Sequence, residues 1–408
     1  MFSRRAFVQR VAAVSVAARL DGLKLFAAAS PPRVVVIGAG AFGSWTAFHL
    51  RRLGADVTLI DSWGPGNTRS SSGGETRVIR AIYGPDRVYV EMVKRAYELW
   101  ELLDPSLYVD TGALWMHRGD DAYVRSSLPI LHELGFPVDQ LTIADAAKRY
   151  PQINFGGVKS IYLERRAGAL SARRACVAVR DAFTHIGGTY RTAQARPMVN
   201  DRALTLGDGS KLEADHFVFA CGPWLGKLFP DVIGDAVRPT RQEVFYFGTP
   251  PGSERYQPPH LPIWIDFGER IIYGIPDVHG RGFKVADDTR GEPVDPTTLE
   301  RRASDAGLNR ARHLLAERFP EMAKAPLLAS EVCQYENSPD GDLIIDRHPN
   351  ANNVWLAGGG SGHGFKLSPA VGEIAAARIL TGKEVPEMFR LDRLQAIKKK
   401  GTQFEKKS

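Results

Sequence analysis

Cysteine is scarce in this chain: Cys176, Cys221 and Cys333 are the three among 408 residues. No C-x-x-C and no H-E-x-x-H occurs, so neither a zinc site nor a dithiol redox centre is indicated, and no metal is expected. Long apolar runs are missing too. No stretch reaches the roughly 18 unbroken apolar residues of a membrane-spanning helix, which excludes a membrane partner of that kind. The body also lacks excess charge. The formal net charge is +7, but Arg4, Arg5, Arg10, Arg19 and Lys24 face only Asp21 in residues 1–30. Lys398-Lys399-Lys400 and Lys406-Lys407 close the chain. The near-neutral centre excludes a nucleic-acid partner, and residues 391–408 read as a solvated basic tail. No internal repeat is present.

What remains is ordinary globular composition, 44% hydrophobic and 24% charged, over a length that suggests about two domains on a prior of roughly 100–200 residues each. Ser3-Arg4-Arg5-Ala6-Phe7 resembles a twin-arginine export signal. A weakly apolar run, Val11 to Ala18, follows it, and Ala27-Ala28-Ala29 offers small residues for cleavage. Arg19, Asp21 and Lys24 interrupt the apolar region. The expectation is a signal peptide over residues 1–30 and a periplasmic or exported enzyme; the alternative is a cytoplasmic protein with an N-terminal extension.

Val34-Val35-Val36-Ile37 reads as a buried parallel strand. Gly38-Ala39-Gly40-Ala41-Phe42-Gly43 follows at once. Ala41 to Leu53 reads as a helix that Gly54 ends, and Asp56 to Ile60 as a second strand closing on Asp61. Gly38 permits the tight turn, Gly40 a close approach of pyrophosphate, and Gly43 close helix–strand packing. The helix N-terminus offers N–H groups to phosphate, and Asp61 can accept from ribose hydroxyls. This is a dinucleotide-binding unit, though the motif alone fits FAD and NAD alike.

Further motifs narrow the choice. They are Gly74-Glu75-Thr76-Arg77-Val78-Ile79-Arg80; Tyr273-Gly274-Ile275-Pro276, with Lys284 beyond; Cys333-Gln334-Tyr335-Glu336-Asn337-Ser338-Pro339-Asp340; and Gly358-Gly359-Gly360-Ser361-Gly362-His363-Gly364-Phe365-Lys366. In this order they resemble the monomeric sarcosine oxidase and N-methyltryptophan oxidase group of the D-amino-acid-oxidase-like flavoproteins, over about residues 33–385. The resemblance implies FAD bound covalently as an 8α-S-cysteinyl thioether at Cys333. It implies Lys284 as the residue that activates O₂, Arg77 beside the flavin, and Arg80 and Lys366 on the substrate carboxylate. Tyr273 and Tyr335 would line the substrate pocket, while Gly360, Gly362, His363 and Gly364 would border the cofactor.

The chemistry of these residue types agrees. Two cations from distant parts of the chain fix a carboxylate's orientation. An ammonium near a superoxide stabilises developing charge. Positive charge lowers a thiol pKa and so favours the thiolate that a thioether needs. The implied reaction is oxidation of a secondary amino acid, N-methyl or cyclic. Hydride would pass to flavin N5, the imine would hydrolyse, and O₂ would be reduced to H₂O₂ by a monomer.

Each residue also has a plainer reading. Cys176 and Cys221 read as core. Arg77 and Arg80, at i and i+3, would suit one exposed helix face. Lys284 taken singly is a surface lysine, Trp115 a packing residue on a strand, and His363 either an acid–base group or a backbone tie. Two positions depart from the family pattern. Gly73 replaces a histidine, which suggests room for a larger substrate. Asp288 replaces another, where it would pair with Lys284 and weaken oxygen activation. The alternatives are an FAD-dependent dehydrogenase with another acceptor, which such a pairing would give, or an NAD-dependent dehydrogenase, which the glycine motif permits.

The fold expected is α/β: a discontinuous Rossmann-like FAD domain over residues 32–112, 168–238 and 330–390, and an α+β substrate domain over 113–167 and 239–329 with an antiparallel sheet. The helix Ala172–His185 belongs to the first domain, and strands at Gln242–Phe247 and Arg270–Tyr273 to the second. Proline-rich Thr249 to Pro262 reads as a loop at the pocket mouth.

Overall fold

The computed structural model describes residues 30–196, 203–397, 401–402 and 404. The export-signal segment and both lysine clusters of the tail lie outside the described residues. The apolar run Val34 to Ile37 is fully covered in strand Arg33–Ile37. Helix Ala41–Arg52 follows, and Gly54 leaves it in the left-handed region. Strand Asp56–Asp61 then returns parallel to the first. This unit sits inside a six-stranded sheet, ordered Ile344–Arg347, Val354–Gly358, His216–Phe219, Arg33–Ile37, Asp56–Asp61 and Thr189–Thr192. All neighbours are parallel except the edge strand Ile344–Arg347. Helix Ala172–His185 forms as expected. On the sheet, helix Ala41–Arg52 packs against Ser368–Thr381, burying Ala47, Leu50, Val371 and Ala376 completely.

An eight-stranded sheet forms the second body. Its order is Leu327–Asn337, Arg238–Phe247, Phe283–Asp287, Ile271–Ile275, Ile263–Phe267, Ala113–His117, Ser160–Glu164 and Val138–Leu141. It is antiparallel except where Ile263–Phe267 runs beside Ala113–His117. Alternation along Arg238–Phe247 sorts the two faces. Phe245 and Phe247 join the core under helix Asp305–Arg318, with Leu314 and Leu315. Val244 and Tyr246 pack with Ala286 and Tyr273 on the other face, which carries the site.

Three expectations change, and one plainer reading falls away. Arg77 and Arg80 do not share a helix face, because Thr76–Ile79 is a strand paired with Gly168–Ser171. The FAD piece expected to start at residue 330 begins inside strand Leu327–Asn337, which pairs from end to end with Arg238–Phe247 in the larger sheet. That strand serves both bodies, so composition along it marks no boundary. The loop after Thr249 holds a short 3-10 turn, Glu254–Tyr256, and buries Tyr256 and Leu261 in the core beneath the helix; none of its residues lines the clefts described below. The described start of the tail is docked rather than solvated: Arg393 donates to Asp340 at 2.9 Å and to the Asp342 carbonyl at 3.0 Å.

Candidate functional site

Two clefts meet at strand Leu327–Asn337. The larger, of about 300 Å³, runs from the Gly38 turn past Asp61 and Cys221 to Gly360 and Gly364. The smaller, of about 70 Å³, is lined by Arg77, Arg80, Tyr273, Asp288, Tyr335 and Lys366. Arg77, Tyr335, Gly362 and Phe365 border both.

The glycine motif builds one end of the large cleft. A Cβ on Gly43 would fall 1.8 Å from the Gly38 carbonyl oxygen, so only glycine lets helix and turn close up. Helix Ala41–Arg52 starts with no acidic residue in its first turn and no side-chain cap. Its first N–H groups are left for an anion. Asp61 accepts from Ala39 N at 2.8 Å through one oxygen, and from Trp63 N and Gly64 N through the other. These bonds fix the turn and leave carboxylate lone pairs facing the cleft. Cys221 lines it as well, whereas Cys176 is buried in the core.

A polar dinucleotide fits this cleft on independent grounds. Ser71 Oγ, Gln334 Oε1 and Glu336 Oε2 are buried without a hydrogen-bond partner, and all three residues line it. Buried polar atoms are nearly always satisfied, so three orphans along one cleft call for a polar occupant. Glu336 was not anticipated from sequence. Its other oxygen accepts from Gly360 N at 3.0 Å, and burial pushes its carboxyl up to about 7. Its signal was its neighbourhood, one residue past Tyr335 on an alternating strand.

Cys333 lies where the clefts join. Its Sγ is 3.5 Å from an Arg77 nitrogen. The same guanidinium donates to the carbonyls of Ser71 at 2.7 Å and Thr76 at 2.8 Å, which hold it against the sulfur. Lys284, from strand Phe283–Asp287, is 1% exposed and lines neither cleft. Its Nζ donates to the Thr76 carbonyl at 2.9 Å and lies 5.6 Å from the Tyr273 ring centre. Burial, and then repulsion from Arg77, bring its ammonium down to about 7.

Arg80 and Lys366 meet in the small cleft. The Arg80 guanidinium is framed by the rings of Tyr83, Trp115 and Phe404, each within 5.3 Å, and bonds the Ile82 carbonyl. Such stacking orients a cation without neutralising it. Trp115 thus borders the site as well as packing. Lys366 Nζ donates to the His363 carbonyl at 3.0 Å. His363 reads as a backbone tie: its Nε2 meets the Gly341 carbonyl at 2.8 Å and its Nδ1 the Tyr83 hydroxyl at 3.0 Å. A carbonyl only accepts, so Nε2 carries hydrogen and the neutral ring accepts from Tyr83. Glu164, also unanticipated, is fully buried behind Arg80. It accepts from Ala81 N and, at 3.4 Å, from Trp115 Nε1, and burial raises its carboxyl to about 7.

Asp288 does not pair with Lys284. It accepts the Tyr335 hydroxyl at 2.7 Å, while Lys284 is held at Thr76. Gly73 gives the pocket no extra room: it lines neither cleft, and a Cβ there would fall 1.8 Å from the Asn67 carbonyl oxygen. Glycine is needed for that turn. The outer wall is instead Phe404 from the tail, 5.3 Å from Tyr123 and 5.5 Å from Phe267 by ring centres.

Residues 33–378 match the DAO family, described as FAD dependent oxidoreductase. Among curated relatives, a monomeric sarcosine oxidase of Arthrobacter sp. (strain TE1826) is 30% identical over 90% of this chain and 98% of its own length. An N-methyl-L-tryptophan oxidase of Yersinia pestis (strain Pestoides F) is 27% identical over 84% of this chain and 93% of its length. Among solved structures, the L-proline dehydrogenase of P. horikoshii superposes with a TM-score of 0.77 at 20% identity, over 90% of this chain and 99% of the other. That last likeness carries the fold alone.

Proposed function

This chain belongs to the DAO family of FAD dependent oxidoreductases, and on that footing we propose that it oxidises the C–N bond of a small secondary amino acid, N-methyl or cyclic. The observation that carries the reading is the placement of Arg80 and Lys366, two buried basic side chains from distant segments, in a narrow cleft that shares Tyr335 and Arg77 with the cofactor cleft. Burial and Arg80 lower the Lys366 ammonium well below its ordinary range, and a bound carboxylate would restore its charge. The sarcosine and N-methyltryptophan oxidase relatives favour an N-methyl amino acid. The family membership removes the NAD-dependent alternative.

Gly38, Gly40, Gly43 and Asp61 would hold the nucleotide end of FAD, and Glu336 with Gly360, Gly362 and Gly364 its other end. Cys333, beside Arg77, would carry the 8α thioether. When bound, FAD supplies the two-electron acceptor, and its reoxidation turns O₂ into hydrogen peroxide. The chain's own groups do the positioning. Arg80 and Lys366 orient the carboxylate. Tyr273 and Tyr335 bound the reacting end, and Phe404 limits entry of water. Lys284, when protonated, places positive charge behind Arg77 for the reduction of O₂. The substrate imine hydrolyses in water; sarcosine would give glycine and formaldehyde. With Asp288 engaged by Tyr335, the reason to expect an acceptor other than O₂ weakens.

The twin-arginine resemblance of Ser3 to Phe7 supports export of a folded, cofactor-loaded monomer. Cell fractionation tests it, and full-length protein confined to the cytoplasm would refute it. Among the described residues no helix is long and apolar enough to cross a membrane, and no cluster suited to a metal is found. The function is tested by mixing holoenzyme anaerobically with sarcosine, N-methyltryptophan, pipecolate and proline. Bleaching of the flavin by one of them supports the reading, and no bleaching by any refutes it. Readmitting air then measures peroxide.

A further inference from the structure

Among the described residues, the small cleft holds charges of both signs with no ion-pair partner in contact. Arg80 and Lys366, 5% and 4% exposed, bond backbone carbonyls and face aromatic rings, with the Tyr123 hydroxyl also against Arg80 and the buried Glu164 behind both. Asp288 sits across from them. Its neighbour Asp287 is answered by Arg270 at 2.6 Å, but Asp288 has only the neutral Tyr335 hydroxyl, at 2.7 Å, and its own N–H bonded to the Ile271 carbonyl. Its surface is half-buried and opens on the cleft. The groups facing it are Arg80, Lys366, Tyr335 and Tyr273, with Asp287 beside it and Lys284 farther off. Unpaired buried charges are costly, and burial with repulsion from Arg80 holds the Lys366 ammonium well below its ordinary range until an anion answers it. A ligand that answers all three must bring one anion and one cation together, which is the charge pattern of a zwitterionic amino acid.

We propose that Asp288 is the ammonium subsite of this cleft and the acceptor of the substrate's amine proton. This rests on the amino-acid reading given above. Arg80 and Lys366 take the carboxylate, and Asp288 takes the R₂NH₂⁺ group. One N–H bond then breaks. Its proton passes to an Asp288 carboxylate oxygen, and the electron pair stays on nitrogen as a neutral amine. That lone pair is what an adjacent C–H needs to leave as hydride, because an ammonium has none to donate. Desolvation already lifts the Asp288 carboxyl above its ordinary range, against the opposing pull of Tyr335 and then Arg80. The group is therefore a better proton acceptor than a solvated aspartate. The Tyr335 bond leaves the second oxygen available and aims the carboxylate.

Glycine and propionate test this on holoenzyme, because they share size and carboxylate and differ in NH₃⁺ against CH₃. Calorimetric titration of the wild type is expected to favour glycine. Asp288→Asn should cut the glycine-to-propionate affinity ratio at least tenfold, mainly by strengthening propionate, whose charge Asp288 repels. Asp288→Glu should restore much of the ratio. In anaerobic stopped flow, Asp288→Asn should also move the rise of flavin-reduction rate with pH toward the free substrate's ammonium pKa. A ratio unchanged within twofold in Asp288→Asn, with an unshifted pH profile, overturns the proposal. The titration needs no turnover. A wild type that no amine bleaches condemns the amino-acid oxidation reading, whereas a bleached wild type with an insensitive Asp288→Asn condemns only this subsite.

Discussion

The Cys333 sulfur and the Arg77 guanidinium lie 3.5 Å apart, on strands from different sheets. Residues 256 apart in sequence are held there by the Ser71 and Thr76 carbonyls. A cation fixed beside a thiol balances the charge left when its proton departs, and the thiolate is the form that bonds carbon. Wild-type protein precipitated in acid should therefore keep its yellow colour in the washed pellet. Cys333→Ser should bind FAD yet give a colourless pellet. Arg77→Gln should slow appearance of pellet-bound flavin when apoprotein is reconstituted. A colourless wild-type pellet would end the covalent reading.

Lys284 makes oxygen reactivity depend on pH. Its ammonium titrates at about 7 because burial and Arg77 disfavour the charged form, so the cation is present below that pH and lost above it. The rate of reoxidation by O₂ should fall as pH rises through about 7. Lys284→Met should be slower by about 10²-fold at low pH, in line with loss of one charge-stabilising donor, and flat with pH. Stopped-flow mixing of reduced enzyme with aerated buffer measures both.

Legibility varied with how local each cause was. Gly38 to Asp61 was readable because turn, helix start and strand partner are neighbours in sequence; the flanks of Cys333 carried a pattern too, and the structure adds its position beside Arg77 at the small cleft. Glu336 and Glu164 were not, since an orphaned oxygen or a carboxylate behind Arg80 exists only once distant strands meet. Strand Leu327–Asn337 misled a division into domains because a single ladder serves both clefts. Phe404 was hidden in a lysine-rich tail whose composition says solvent. His363 was undecidable until Tyr83 and Gly341 took both ring nitrogens.

From sequence Gly73 reads as space for substrate; the structure makes it a matter of stability. Any side chain there meets the Asn67 carbonyl at 1.8 Å from Cβ, which flexible groups cannot relieve because the obstacle is backbone. Gly73→Ala should destabilise by about 1–3 kcal/mol, the usual cost of overpacking, lowering Tm in a thermal melt. The relative kcat/KM of sarcosine and N-methyltryptophan should not move, since Gly73 borders neither cleft. A changed ratio with an unchanged Tm would restore the pocket reading.

Phe404 sets pocket size. Its ring stands over Arg80 and edge-on to Tyr123 and Phe267. The approach is tied down nearby, where Gly401 N donates to the Pro339 carbonyl at 2.6 Å and Arg290 donates to the Gly401 carbonyl at 2.7 Å. Removing the ring widens a cavity of about 70 Å³ on its outer side and leaves Lys366 and Asp288 in place. Phe404→Ala should therefore raise kcat/KM for N-methyltryptophan relative to sarcosine about tenfold, a shift of about 1.4 kcal/mol in the difference of barriers. The ring is only half-buried, so the Tm should fall less than for a core phenylalanine. Arg80 loses one of its aromatic faces, so KM for sarcosine should rise modestly while the rate of flavin reduction at saturation holds. A Phe404→Ala enzyme with unchanged discrimination would mean that the tail does not wall the substrate cleft.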